Sequence, residues 1–190
     1  MLVLLQAVRA VLPHPSPALE AALGASVRRE ELPARHLLLQ PGQVARQLHF
    51  VERGLVRGYA LHAGQEVSSW FMQEGDFVIS IVSFFTQQPA TEYLELLEPS
   101  VLHTISHAQL QALYHAFPEF NLVGRVLTER YYVQSEQRAY QLRTLPAAAR
   151  YAQLVQQAPS LVQRVPLKHL ASHLGIAPET LSRLRARREA

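Results

Sequence analysis

The chain's twelve prolines leave a long gap in its C-terminal half. Residues 119–145, EFNLVGRVLTERYYVQSEQRAYQLRTL, contain none. Proline lacks the backbone N–H and clashes with the preceding turn, so its absence over 27 residues permits a single helix about 40 Å long at ~1.5 Å per residue. A small β-domain cannot cover a rod of that length. Within it Val123, Val126, Arg130, Val133, Gln137 and Tyr140 recur at alternating steps of three and four, a heptad seam interrupted by two polar positions. The spacing predicts that two copies pair along this helix as a parallel homodimer. The alternative, one helix lying wholly on its own chain, is disfavoured because the seam runs on past the point where such a domain ends.

On the N-terminal side the pattern is that of strands. Residues 36–106 hold short apolar runs from HLLLQPGQ to SVLHTIS, and in several of them the residues expected on one covered face alternate: Leu55, Tyr59 and Leu61; Val67, Ser69 and Phe71; Val101, His103 and Ile105. Gly42, Gly54, Gly64 and Gly75 stand at the breaks, as the turns of a small antiparallel barrel or sandwich require. Residues 46–88 have no proline and read as an uninterrupted run of hairpins. Ahead of them PSPALEAALGA reads as a helix with Ser16 as N-cap and Pro17 at its first position. The opening MLVLLQAVRAVL is too short to span a bilayer and lacks a basic n-region and cleavage site; it reads as a first helix. Cysteine is absent, which excludes disulfides, thiolate metal sites and cysteine-bound iron–sulfur clusters. A cytoplasmic protein without a membrane partner is expected.

After residue 106 the period becomes helical, in HAQLQALYHAF, in the long helix, and in PAAARYAQLVQQA. The end of the chain is the most specific part. VPLKHLASHLGIAPETLSRLRARREA places two short helices, 166–174 and 178–188, on either side of a three-residue turn that begins with Gly175, a residue free to take the left-handed conformation. Small Ala171 marks a close helix crossing, and Leu170, Leu174, Ile176, Leu181 and Leu184 supply a miniature core. These offsets are those of a helix-turn-helix. Six cations, Arg164, Lys168, Arg183, Arg185, Arg187 and Arg188, face only Glu179 and Glu189, so residues 164–190 carry +4 and the other 163 carry −1. With Leu181 inward at 100° per residue, Glu179, Ser182, Arg183 and Arg187 fall on the outward half. Glutamate accepts from cytosine N4 and arginine donates bidentately to guanine, so Glu179 and Arg183 suit the reading of a major groove. An i,i+4 salt bridge between them is the plainer alternative. Thr180 and Ser182 are candidate phosphate or base contacts, and Arg185, Arg187, Lys168 and His169 candidate phosphate contacts.

The chain resembles the Crp/Fnr superfamily of transcription regulators, in the compact form with a degenerate effector site. The resemblance rests on PGQ at 41–43, FVERGLVRGY at 50–59, GDF at 75–77, FPEF at 117–120 and LASHLGIAPETLSRLR at 170–185. It implies an α+β fold: an N-terminal antiparallel β-roll, a cupin-like jelly roll with flanking helices (1–117), a long dimerisation helix (118–145), and a C-terminal (winged) helix-turn-helix domain (146–190). It also implies double-stranded DNA as partner, RNA polymerase as a further one, and a small effector in the roll. Where the family's recognition helix carries Arg-Glu followed by Arg, Pro178 replaces the first Arg while Glu179 and Arg183 match the rest. Members that bind cyclic AMP hold the ribose with Glu and the cyclic phosphate with an Arg-Ser or Arg-Thr pair. Here Asp76 follows Gly75, and Ala90 stands where that Arg would be, beside Thr91. A half-buried cyclic phosphate without a counter-charge is heavily penalised, so the effector is read as something other than cyclic AMP. Gly75, Asp76, Thr91, Tyr131, Tyr132 and Ser135 are the candidate pocket residues.

Two other classes stay in play. A cupin-like metal-dependent enzyme would need a His-x-His followed by Glu, and no His-x-His occurs. The pairs His103/His107 and His169/His173 have metal-compatible spacing but no evident third ligand. A stand-alone ligand sensor would not need outward Glu and Arg on its last helix. No catalytic motif stands out, and no enzyme activity, metal or cofactor is assigned.

Overall fold

The structure, a computed structural model, describes residues 1–189 and the side chains of residues 1–187; the side chain of Arg188 lies outside the described residues. Two helices, α1 (Leu2–Arg9) and α2 (Pro17–Ser26), precede the sheets. Ser16 caps α2 by accepting from the Leu19 amide at 3.2 Å, with Pro17 at the first position, as the sequence predicts. The strands are β1 (Arg28–Leu32), β2 (Leu37–Leu39), β3 (Gln47–Arg53), β4 (Val56–His62), β5 (Gln65–Met72), β6 (Phe77–Val78), β7 (Tyr93–Leu96) and β8 (Ser100–Ser106). They form two antiparallel sheets of order β1-β8-β3-β6 and β2-β7-β4-β5, stacked as a roll.

The expected uninterrupted run of hairpins is broken by α3 (Ile81–Thr86). Burial explains it. Phe84 has no exposed surface and joins Leu39, Val78, Ala90 and Leu94 in the roll core, while the Ser83 hydroxyl accepts from the buried Ala45 amide. Alternation also fails in β5. A bulge between the pairs Gly58–Trp70 and Tyr59–Ser68 shifts the register, so that Val67 is exposed and Ser68 and Phe71 are buried. Leu61, expected on a covered face, is exposed near the tip of the β4–β5 hairpin. At Gly58 a Cβ would enter the Trp70 indole, so that position admits no side chain without moving the ring.

The helices that follow are α4 (His107–Ala116), capped by a Ser106/Gln109 box, and α5 (Phe120–Thr144), the long helix the proline gap predicts. Its first turns bury Phe120 and Val123 against the roll, whereas Tyr132, Val133, Tyr140 and Leu142 further along are exposed. Then come α6 (Ala147–Gln157), α7 (Pro159–Arg164), which the sequence reading did not anticipate, α8 (Leu167–His173) and α9 (Pro178–Glu189). No strand follows β8 among the described residues, so the wing implied by the resemblance is not part of them. No described helix is long and apolar enough to cross a membrane.

The C-terminal helices do not hang free of the roll. Leu55 and Phe71, on the outer face of the second sheet, share a core with Tyr151, Leu161, Val165, Leu170 and Leu181. Arg164 clamps the seam. It donates to Glu74 at 2.7 and 2.9 Å, to Glu98 at 2.8 and 3.1 Å, and to the Gly54 carbonyl at 3.1 Å. Its hydrogen bonds hold the Glu74 carboxyl down at about 2. This corrects the sequence reading of Arg164 as part of a free positive patch: three acidic or carbonyl partners already occupy it. Replacing Arg164→Ala is expected to remove about 2 kcal/mol of stability, lowering the calorimetric melting midpoint by roughly 4–8 °C for a chain of this size. Hydrogen exchange should quicken in α7 and α8 before it does in β3 and β8.

Candidate nucleic-acid interface and effector pocket

α8 and α9 cross on a small apolar centre. Leu170, Ala171 and Leu181 have no exposed surface, and Leu174 is nearly as buried. Gly175 adopts φ +65°, where L side chains are disfavoured, and lets the Ile176 amide reach back to the Ala171 carbonyl at 3.0 Å. The turn is the one the sequence predicts. With Leu181 turned inward, Glu179, Ser182, Arg183 and Arg187 are exposed and Thr180 is half-buried. Glu179 and Arg183 form no salt bridge with each other; the Arg183 guanidinium instead lies 3.4 Å from the Thr180 hydroxyl. The plainer alternative for this pair is therefore not what the structure adopts. Lys168 is exposed, while Arg185 is half-buried and donates to the Val162 carbonyl at 3.1 Å.

His169 is not on that outward side. It is buried beneath the roll, with Nδ1 3.7 Å from Glu66, because α8 sets this face against β5. That corrects its assignment as a phosphate contact. On the same seam the Ser172 hydroxyl accepts from the Ser68 amide and donates to the Glu66 carbonyl, both at 2.9 Å. His173 packs its ring edge against Phe71 at 5.2 Å and accepts at Nδ1 from Arg138 at 3.1 Å. His169 and His173 thus turn to different partners, and so do His103, bound to Glu52 at 2.6 Å, and His107, packed on Phe84. Neither pair converges on a common point.

The six candidate pocket residues are only partly gathered. Asp76 and Tyr131 meet: the Tyr131 hydroxyl donates to Asp76 at 3.3 Å and accepts from the Phe77 amide at 2.9 Å, with Arg130 3.7 Å away. Burial raises the Asp76 pKa and, with the Asp76 charge, lifts Tyr131 to about 12. This contact ties α5 to the β5–β6 turn. Gly75 sits in that turn and is exposed. Thr91, Tyr132 and Ser135 are exposed; Tyr132 is turned 100° from Tyr131 on the helix, which takes it off the roll. Ala90 is buried and its backbone is paired with Gly42 and Gln43. Phe84 and its apolar neighbours form the core of the roll.

Sequence reasoning missed Arg57, and the signal was an arginine between apolar residues of one strand. It is 1% exposed. It donates to the Ser68 hydroxyl at 2.9 Å and to Glu66 at 2.7 Å, and its guanidinium lies 4.1 Å over the Tyr59 ring.

Burial first, then the charges of Arg57 and Lys168, lowers the His169 pKa to about 4; burial and Arg138 lower that of His173 to about 3. Both rings are neutral when seated. The ordinary histidine value is 6.5, so the seat is fully favoured above it and loses stability as pH falls through 6.5 toward 4 and 3. Urea unfolding should accordingly show a loss of stability between about pH 7 and pH 5 that is steeper in the natural chain than in the double variant His169→Gln/His173→Gln. Parallel slopes would remove the two histidines from this role.

Residues 29–117 match the family model of the cyclic nucleotide-binding domain. No curated protein matches the chain. The structure is similar to that of CLP, a global regulator of Xanthomonas campestris described as c-di-GMP responsive, at 20% identity with 92% of each chain covered and a TM-score of 0.70. It is similar to FixK2 from Bradyrhizobium japonicum at 16% identity, covering 85% of this chain and 83% of that one, with a TM-score of 0.73. The Catabolite Activator Protein of Thermus thermophilus is a third, at 20% identity, 90% and 83% coverage and a TM-score of 0.56. At these identities the likeness establishes a shared fold.

Proposed function

We propose that this chain is a Crp/Fnr-type transcription regulator: a homodimer paired along α5 that reads DNA with α9 and answers to a small effector other than cyclic AMP. The observation that carries the reading is the outward side of α9, where Glu179 and Arg183 are exposed, one turn apart and not bound to each other. The helix-turn-helix geometry of α8 and α9 supports it, as do the fold shared with regulators and the exposed Val133 and Tyr140 on the heptad seam. α9 enters the major groove, Glu179 and Arg183 contact base edges, and Thr180, Ser182, Arg185, Arg187 and Lys168 contact phosphate or flanking bases. A symmetric dimer then binds two half-sites about one helical turn apart. A stand-alone ligand sensor leaves that exposed pair without a purpose, and the divergent histidine pairs give a cupin-like enzyme no metal site.

In the roll, the missing phosphate arginine at Ala90 argues against cyclic AMP. Thermal-shift measurements are expected to show no stabilisation by cyclic AMP; a clear, saturable rise in melting temperature would overturn that part. For DNA, selection from a random duplex pool should yield a two-fold symmetric site. Glu179→Ala and Arg183→Ala should each abolish preference at one symmetric position per half-site, a loss of about 1–3 kcal/mol of discrimination, while the salt-dependent background binding persists. Preferences unchanged by both substitutions would remove the pair from base reading.

A further inference from the structure

Ala90 leaves the roll without the arginine on which a cyclic phosphate would rest, but a second place in the molecule brings two arginines to one cleft. Where α5 meets α6 and α8 there is an open cleft of about 350 Å³, its mouth included, whose polar lining comes from Arg138 and Gln141 of α5 and Arg150 and Gln157 of α6. Two guanidiniums therefore face one space, and neither has a carboxylate within 4 Å among the described residues.

Both arginines are anchored by neutral groups. Arg138 Nη2 is held by the His173 carbonyl at 3.0 Å, the His173 ring at 3.1 Å and the Ser68 carbonyl at 3.3 Å. Arg150 donates from Nε to the Leu174 carbonyl at 3.0 Å and from Nη1 to the Leu145 carbonyl. Carbonyls fix the two forks in place but do not cancel their charge. The Arg138 Nε is buried with no hydrogen-bond partner, and burial lowers the pKa of its guanidinium. Arg57 likewise leaves one buried nitrogen, Nη2, without a partner, but carboxylates neutralise it and Arg164, whereas Arg138 and Arg150 have none beside them.

The geometry points to this cleft as a binding site for a small metabolite bearing a phosphate or carboxylate oxyanion, bridged between Arg138 and Arg150. Arg138 keeps Nη1, and Arg150 Nη2, outside the contacts that anchor them, and a hydrogen bond from a guanidinium to an oxyanion is charge-assisted. Gln141 and Gln157 add neutral donors at the rim, and Leu142 and Leu154 accept a less polar body. The bridge would join α5, which is rooted in the roll, to α6, which belongs to the C-terminal helices. Its regulatory meaning, setting the spacing of two α9 helices, rests on the proposed function above; the binding itself does not.

The test is calorimetric titration of the full chain with inorganic phosphate and, separately, with succinate, at ionic strength held constant with chloride. Saturable binding of one anion per chain is expected, and the tighter of the two probes identifies the group recognised. Gln157→Glu, which sets a carboxylate at the exposed mouth, and Arg138→Gln should each weaken binding about tenfold or more while circular dichroism and Trp70 emission stay as in the natural chain. Should Arg138→Gln not fold, Gln157→Glu decides alone. Absence of saturable heat with both probes, or affinity unchanged in Gln157→Glu, overturns the proposal. The titration contains no DNA, so a chain that binds the anion but selects no duplex would refute the regulator reading and leave this site standing, and the reverse result would do the opposite.

Discussion

The outer face of β4 and β5 has to be covered, and that requirement shapes the rest of the molecule. It carries Arg57, a charge that is 1% exposed. A buried guanidinium is tolerated only where its hydrogen bonds are met and an opposite charge lies close, and Ser68, Glu66 and the Tyr59 ring meet most of that need. β5 is also an edge strand, with backbone groups that would otherwise face water or another chain. α8 answers both demands at once. Its Ser172 hydroxyl pairs with the amide of Ser68 and the carbonyl of Glu66, and His169 closes over the Glu66 carboxylate. The direction of α9 follows from this seat, since the Gly175 turn and the Leu170–Leu181 packing fix it relative to α8.

The same two strands belong to both cores. Val56 of β4 and Trp70 of β5 pack within the roll, while their chain neighbours Leu55 and Phe71 pack among the C-terminal helices. Strand geometry sends successive side chains to opposite faces, so these pairs are mechanically joined through one peptide unit each. Trp70 lies where a side chain on Gly58 would be, and Phe71 touches His173, which in turn holds Arg138 of α5. A change in roll packing and a change in the aim of α9 are thus connected by a few packed side chains and one long helix.

Features set by local chemistry were legible in the sequence. Proline spacing marks α5, Ser16 with Pro17 marks the start of α2, and Gly175 with the flanking leucines marks the crossing of α8 and α9. What was not legible depends on contacts between distant segments. α3 exists because Phe84 fills the roll, which no local period announces. The bulge opposite Gly58 reverses the facing of β5, so alternation misassigned Val67. Arg164 looked like a free cation and His169 like a phosphate contact because the sequence places them among basic residues, whereas Glu98 and Glu74 lie 66 and 90 residues from Arg164, and Glu66 lies still further from His169. On the candidate pocket, Asp76 and Tyr131 do meet, whereas Thr91, Tyr132 and Ser135 are exposed, since the facing of a residue on the long helix depends on how that helix is rotated against the roll.

Sorting the C-terminal charges by side changes what a polyanion would encounter. Glu74 and Glu98 hold Arg164, and Glu66 sits against His169, so the roll's carboxylates lie on the inner side of the bihelical unit. Lys168, Arg183 and Arg187 are on exposed positions with no carboxylate partner among the described residues. Arg164 is half-buried at that seam, and its pairs are screened by salt less than fully exposed charges are. Docking on the roll and attraction to phosphate therefore draw on different residues and respond differently to ionic strength, so the unit can stay seated while its outer face meets a duplex. A patch that looked uniform along the sequence is divided by the fold into charges that hold α8 and α9 in place and exposed charges, which are the ones the proposed DNA reading requires.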